Sequence, residues 1–148
     1  MSLNLSGYLG IGPGMLQVDS QFTDIHLSQI GSIEAAIGGR YSYGDGNVIR
    51  FVLEGAGAFI PQHGGTLGGG VSHSVGKSVY AGFSGGGLIT QDSNDHQPKV
   101  DPFLGARFTY LPTGASPKGS LYLGSFLGVS MVDGSPLALA SFNLGIDF

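Results

Sequence analysis

The sequence predicts an all-β fold, a closed eight-stranded antiparallel up-and-down transmembrane β-barrel. Three observations lead there. Charged residues make up only 11% of the 148-residue chain, against about 25% in an ordinary soluble domain. No run of 18 apolar residues occurs, so no transmembrane helix is expected, and a closed barrel is the other way to satisfy every backbone polar group in lipid. Third, eight segments alternate with period two, and in each of them the charges keep to one face.

The predicted strands cover about 3–11, 32–43, 47–60, 66–75, 78–89, 100–110, 120–131 and 137–148. Most are close to the roughly 9–11 residues that a tilted membrane-crossing strand needs. Gly44-Asp45-Gly46 and Gly76-Lys77 are tight hairpin signals, and 111–119 is a longer turn at the same end. The connectors at the other end, about 12–31, 61–65, 90–99 and 132–136, include two long polar ones. Short turns with both termini at one end and longer loops at the other is the outer-membrane arrangement, which puts the turns on the periplasmic side.

Face assignment follows strand by strand. In the second strand Glu34 and Arg40 share a face with Ala36, Gly38 and Ser42, opposite Ile33, Ala35, Ile37, Gly39, Tyr41 and Tyr43. In the third, Arg50 and Glu54 oppose Ile49, Phe51, Leu53 and Phe59. In the sixth, Asp101 and Arg107 oppose Leu104, Ala106, Phe108 and Tyr110. In the eighth, Ser141, Asn143, Gly145 and Asp147 oppose Ala140, Phe142, Leu144, Ile146 and Phe148. A membrane barrel turns its charges toward the lumen. The seventh strand is apolar on both faces, and its Leu121, Leu123, Leu127, Val129 and Met131 face is assigned outward, with Tyr122 and Phe126 inward. The Gly-rich fifth strand is expected to turn Val79, Ala81 and Phe83 outward.

Glu34, Arg40, Arg50, Glu54, Asp101 and Arg107 are three positive and three negative charges on the inward face. Eight strands enclose just enough space for side chains to fill, and an isolated buried charge costs several kcal/mol. These six residues are therefore expected to form a salt-bridge network plugging the lumen, with Tyr8 and Tyr80 beside it. Tyr41, Tyr43, Phe59, Tyr110 and Phe148 are candidates for an interfacial girdle in a chain that has no Trp.

Other function classes find little support. The net charge is −4 with no basic cluster, so nucleic acid is not an expected partner. Without cysteine there is no disulfide or thiolate metal site, and no cofactor or metal is expected. Gly68-Gly69-Gly70 and Gly85-Gly86-Gly87 lack the helix start and Lys-Ser/Thr of a phosphate loop. Ser72-His73-Ser74 invites a Ser/His hydrolase reading, but no acidic partner accompanies it, and His73 is read as an interfacial side chain near the periplasmic turn. His26, His63 and His96 are read as solvated loop residues. Asp92-Ser93-Asn94-Asp95 has oxygen ligands at alternating spacing but lacks the glycine and distal Glu of a calcium loop. Asp19, Asp24, Asp92, Asp95 and Asp133 make the loop side acidic, with Lys99 among them. They are read first as ordinary solvated loops, with a face bridged to lipopolysaccharide by divalent cations as the alternative.

The C-terminal run Phe142-Asn143-Leu144-Gly145-Ile146-Asp147-Phe148 resembles the outer-membrane β-signal, which alternates apolar residues and ends in an aromatic. That resemblance makes Phe142, Leu144, Gly145, Ile146 and Phe148 an assembly signal read by the barrel-assembly machinery. Over the whole chain, the hairpin layout and charged interior resemble the small eight-stranded outer-membrane family. That family includes the transmembrane domain of outer membrane protein A and the Ail/Lom-type adhesins. The resemblance implies a monomeric, non-enzymatic barrel in the bacterial outer membrane, in contact with its lipids and lipopolysaccharide. Its role would be structural or surface-interacting, through the loops around 12–31 and 90–99. A narrow pore or transporter for small solutes or ions is the first alternative, and a lipid-modifying enzyme the second. A soluble lipocalin-like barrel is a third, but it would carry its charges outside and its apolar residues inside. Residues 1–148 are expected to be one transmembrane domain. Met1-Ser2-Leu3-Asn4 has neither the basic nor the apolar region of a signal peptide. The chain is therefore expected to be a mature form or to carry a replaced start Met1.

Overall fold

Alternation over eleven to thirteen residues gives most staves of the wall one lipid-compatible face and one inward face. The computed structural model describes residues 2–13, 15–18, 25–27, 31–58, 64–90, 97–112, 119–132 and 134–148, with the backbone alone at 15–18, 25–27 and 58. The strands are β1 (Ser2–Gly12), β2 (Met15–Val18), β3 (Ile25–Leu27), β4 (Ser32–Tyr43), β5 (Asn47–Ala58), β6 (Gly64–Ser74), β7 (Val79–Thr90), β8 (Lys99–Tyr110), β9 (Ser120–Val132) and β10 (Ser135–Asp147). β1 and β4 to β10 are the eight staves, all antiparallel, in the order β1-β4-β5-β6-β7-β8-β9-β10. β1 pairs with β10 from Tyr8↔Asp147 to Ile11↔Leu144 and closes the barrel. The seam extends to the last residue, because Gly7 and Phe148 exchange backbone hydrogen bonds of 2.7 and 2.9 Å. Closure leaves no stave with an unpaired edge, the condition for a sheet to lie in lipid.

The first connector departs from expectation. Gly12-Pro13-Gly14 reads as the end of a strand, yet the wall resumes beyond it. β2 continues the line of β1 and pairs with β10 from Met15↔Ser141 to Val18↔Ala138, and β3 pairs back onto β2. The register against β10 slips by one residue between Ile11↔Leu144 and Met15↔Ser141. A β-bulge makes such a slip, letting the ladder bend and continue where a proline cannot donate. Gly31 N–H donates to Pro13 O (2.9 Å) across the break. The segment 12–31 is thus partly a β-hairpin that lengthens the wall. Two smaller corrections follow the same lines: β6 begins at Gly64 inside the expected 61–65 loop, and β9 and β10 extend into the expected 132–136 loop.

At the opposite end the short turns match their signals. Gly44 and Gly46 adopt φ of 54° and 95°, a left-handed conformation that glycine enters without a Cβ penalty, and β4 pairs with β5 up to Tyr43↔Asn47 beside that turn. The burial of side chains follows parity around the barrel. Leu3, Leu5, Leu9, Ile33, Ile37, Phe51, Leu53, Phe83, Leu104, Leu121, Phe142 and Ile146 are exposed on the outer wall. Glu34, Arg50, Glu54 and Asp147 are buried inside. An exposed apolar surface this continuous marks contact with lipid. The outward assignment of the leucine face in β9 and of Val79 and Phe83 in β7 agrees with their exposure.

Candidate functional site in the barrel lumen

The lumen is a stack of side-chain layers, each built by residues opposite one another in the wall. Tyr122, Gly145, Gly10 and Glu34 form one row across β9, β10, β1 and β4. The Tyr122 ring lies across the two glycines, where a Cβ on either would collide with it. Its hydroxyl therefore reaches Glu34 Oε1 and donates a 2.5 Å hydrogen bond. Tyr8, Ala36 and Glu54 form a second row, and Tyr8 Oη passes over the small Ala36 to donate to Glu54 Oε2 at 2.6 Å. Arg107 enters from β8 and joins both carboxylates, with Nη1 3.4 Å from Glu34 Oε2 and Nη2 3.2 Å from Glu54 Oε2. Its Nε donates to Ser84 Oγ (3.2 Å), and its guanidinium lies 5.3 Å from the Tyr8 ring centre.

A second cluster lies toward the turn end. Arg50 Nη2 pairs with Asp147 Oδ2 at 2.5 Å, and Arg50 Nε and Nη2 donate to Ser6 Oγ at 3.1 and 2.9 Å. The Arg50 guanidinium sits 5.1 Å from the Tyr80 ring centre.

Apolar layers bound both clusters. Leu88, Phe103, Phe126 and Leu139 are buried together toward the loop end, with Phe103 and Phe126 edge to face at 5.7 Å. Toward the turn end, fully buried Leu111 packs with Tyr8, Ala36, Tyr80 and Tyr122, held by its N–H donating to Ser78 O (2.8 Å). A cavity of about 30 Å³ lies under the upper apolar layer, lined by Glu34, Glu54, Thr66, Arg107, Ser141 and Asn143 among others. A second space of about 10 Å³ is lined by Tyr8, Arg50, Val52, Ser84 and Arg107 among others.

Of the six sequence-assigned lumen charges, the structure brings Glu34, Glu54 and Arg107 together and sets Arg50 apart with Asp147. Arg40 lies directly opposite Arg50 and joins neither set of ion pairs, although it acts electrostatically on Asp147. Asp101 lies opposite Leu88, and its buried Oδ2 has no hydrogen-bond partner among the described residues. Asp147 and Tyr122 belong to these clusters but were absent from the assigned set. Parity placed both inward, but pairing across the lumen depends on stagger between distant strands, which sequence does not state. The apolar layer of Leu88, Phe103, Phe126 and Leu139 was likewise not foreseen.

The remaining assignments fall as follows. Phe142, Leu144, Ile146 and Phe148 are exposed on the outer wall, and Gly145 lies inward beneath Tyr122. His73 is near the turn end, where Tyr43 Oη lies 2.6 Å from its Nε2 and Tyr41 stacks on Tyr43. Ser72 and Ser74 alternate with His73 along β6 and so face the other way. Phe59, His63, His96, Asp19, Asp24, Asp92, Asp95 and Asp133 lie outside the described residues, as does the side chain of His26.

The class defined by this geometry is the small, closed, eight-stranded outer-membrane-type β-barrel with a filled lumen. Among solved structures, that of Ail, the attachment invasion locus protein of Yersinia pestis, superposes with a TM-score of 0.59 at 10% identity, covering 100% of both chains. Ail in complex with the heparin analogue sucrose octasulfate gives 0.49 at 12% identity over 100% of both chains. A structure from the de novo design of transmembrane β-barrels gives 0.48 at 14% identity, covering 100% of this chain and 97% of that one. No known family profile matches the chain, and no curated protein sequence matches it. The chain shares the fold of Ail.

Proposed function

We propose that this protein is a monomeric integral barrel of the bacterial outer membrane whose lumen is a structural core rather than a conduit. Its external role would lie in the segments around 12–31 and 90–99. The observation that carries the reading is the inversion of the molecule together with its two apolar lumen layers. Apolar side chains cover the outer wall, while charges pair inside. Leu88, Phe103, Phe126 and Leu139 on one side and Leu111 on the other bound the paired charges. A continuous wet path would have to pass both layers and the paired charges between them.

In this reading the turn end faces the periplasm, and Phe142, Leu144, Gly145, Ile146 and Phe148 engage the barrel-assembly machinery. Membrane lipids and lipopolysaccharide surround the wall. No catalytic role is proposed, since Ser72 and His73 point to opposite faces of β6. Ail is by its name an attachment and invasion protein, and a surface role of that general kind is what we propose for the loop end. The test pairs two measurements. Heat-modifiable gel mobility in detergent should report a closed barrel, and planar bilayers should show no steady single-channel conductance. Discrete conductance from the unaltered protein would turn the reading toward a pore.

A further inference from the structure

The outer wall is unevenly covered. Large apolar side chains fill the outward positions of β9 and β10, among them Leu121, Leu123, Leu127, Phe142, Leu144 and Ile146. Across the ring, one outward row runs Ile37, Leu53, Gly69, Gly85, Leu104 from β4 to β8. Gly69 and Gly85 leave the sheet bare between two leucines. The next row toward the turns is Gly39, Phe51, Val71 and Phe83. The two rows frame an open furrow of about 750 Å³, within the roughly 300–1,000 Å³ typical of small-molecule sites. Packing does not demand glycine at its floor, since a Cβ on Gly69 would meet only Val52 O, at 3.4 Å.

The furrow ends on a polar pair. One row further toward the turns lie Tyr41, Ile49 and His73, and Tyr43 Oη is 2.6 Å from His73 Nε2. His73 is two residues beyond Val71 on β6, a step of about 6–7 Å. A neutral imidazole and a phenol have two polar hydrogens between them, and their mutual hydrogen bond uses one. In either tautomer an N–H or O–H is left to donate. Tyrosines near the turns sit at headgroup height, with hydrocarbon above them. Asp45 and Lys77 occupy the turns after β4 and β6, and their opposite charges offset each other. The end of the furrow therefore suits a hydrogen-bond acceptor carried by an apolar chain.

We propose that the furrow holds one glycerophospholipid of the periplasmic leaflet, with an acyl chain over Gly69 and Gly85 and a phosphate oxygen accepting from the Tyr43–His73 pair. This rests on the membrane-barrel reading. Hydrocarbon surrounds the furrow, and a chain seated in it touches protein on its floor and both sides, gaining dispersion contacts that a smooth wall does not offer. The test uses the folded full chain in detergent. Heat-modifiable mobility establishes the closed barrel, and its absence would overturn that reading and the proposal together. The remaining outcomes bear on the furrow alone. The protein is mixed with palmitoyl-oleoyl phosphatidylethanolamine or with the diacylglycerol of the same chains, which has no phosphate, and bound lipid is counted by native mass spectrometry. One phospholipid should be retained, and the diacylglycerol at least severalfold less. Gly69→Val fills the floor and should abolish retention. Gly57→Val makes the same change on the outward face of β5 outside the furrow, where a Cβ meets nothing within 4 Å, and should leave retention intact. Tyr43→Phe combined with His73→Phe removes the donors and should lower the phospholipid to the diacylglycerol level. Equal retention of the two lipids, or undiminished phospholipid in Gly69→Val or in the double variant, would each overturn the proposal. If Gly69→Val fails to fold, the double variant and the lipid comparison decide alone.

Discussion

Two arginines anchor the lumen on one plan and differ in what they face. Arg50 and Arg107 each donate Nε to a serine hydroxyl, Ser6 at 3.1 Å and Ser84 at 3.2 Å. Each guanidinium also lies against a tyrosine ring, Tyr80 for the first and Tyr8 for the second. Serine and ring hold the planar fork in place, so little ordering is left when a carboxylate arrives. Arg50 meets one carboxylate, Asp147, and Arg107 meets two. The lower pair is charge-balanced and has a second cation, Arg40, acting on the same aspartate. The upper trio depends on a single cation. Two centres of like construction therefore differ in how badly each would fare without its arginine.

The largest expected effect tests that contrast directly. Arg107→Met strands two buried carboxylates near each other and should cost about 3–5 kcal/mol, the usual consequence of breaking a buried ion pair from one side. Arg50→Met strands only Asp147, with Arg40 at hand, and should cost less, about 2–3 kcal/mol, nearer the value of hydrogen bonds to a charged group. Urea unfolding of the two variants in lipid vesicles measures both. Equal costs would mean that charge balance does not distinguish the centres.

A smaller effect isolates the tyrosine donors that only the upper trio possesses. Tyr8→Phe and Tyr122→Phe each remove one O–H donor to a buried carboxylate. Each should cost about 1.5–3 kcal/mol in the same assay. If the donors serve mainly to hold the trio, either cost should fall when measured in an Arg107→Met, Glu34→Gln, Glu54→Gln background.

Much of the architecture was legible before any coordinates, for a physical reason. A membrane stave has water-free lipid on one side and a crowded polar core on the other, so each charged residue declares its face. Glu34, Arg50, Glu54 and Arg107 did so individually, and the turn at Gly44–Gly46 announced itself by residues suited to positive φ. Partner choice inside was not legible. Tyr122 reaches Glu34 across two intervening strands, and such rows depend on the stagger of the closed sheet. The wall extension was hidden because Pro13 and Gly14 signal a stop in sequence, and only the one-residue slip against β10 between Ile11 and Met15 shows that the ladder resumes. Phe126 is inward by parity, but that alone does not reveal that with Leu88, Phe103 and Leu139 it forms an apolar layer.

The smallest effect concerns the glycine floor, Gly10 and Gly145, on which Tyr122 lies in the upper cluster. A Cβ at Gly10 would overlap the Tyr122 hydroxyl and ring, so Gly10→Ala should crowd the ring while the hydrogen bond to Glu34 re-forms, and cost about 1–2 kcal/mol by overpacking. Gly39 supplies the control. It lies on the outward face of β4, where an added Cβ would meet Leu3 Cδ1 at 3.4 Å and Asn4 O at 3.7 Å, both ordinary contacts. Gly39→Ala should therefore be close to neutral. The interaction is isolated by repeating Gly10→Ala in a Tyr122→Ala background, where the ring is gone and most of the penalty should vanish. A penalty that persists there would place the cost in the backbone of β1 and its seam with β10. Gly10 would then serve closure of the barrel rather than the tyrosine above it.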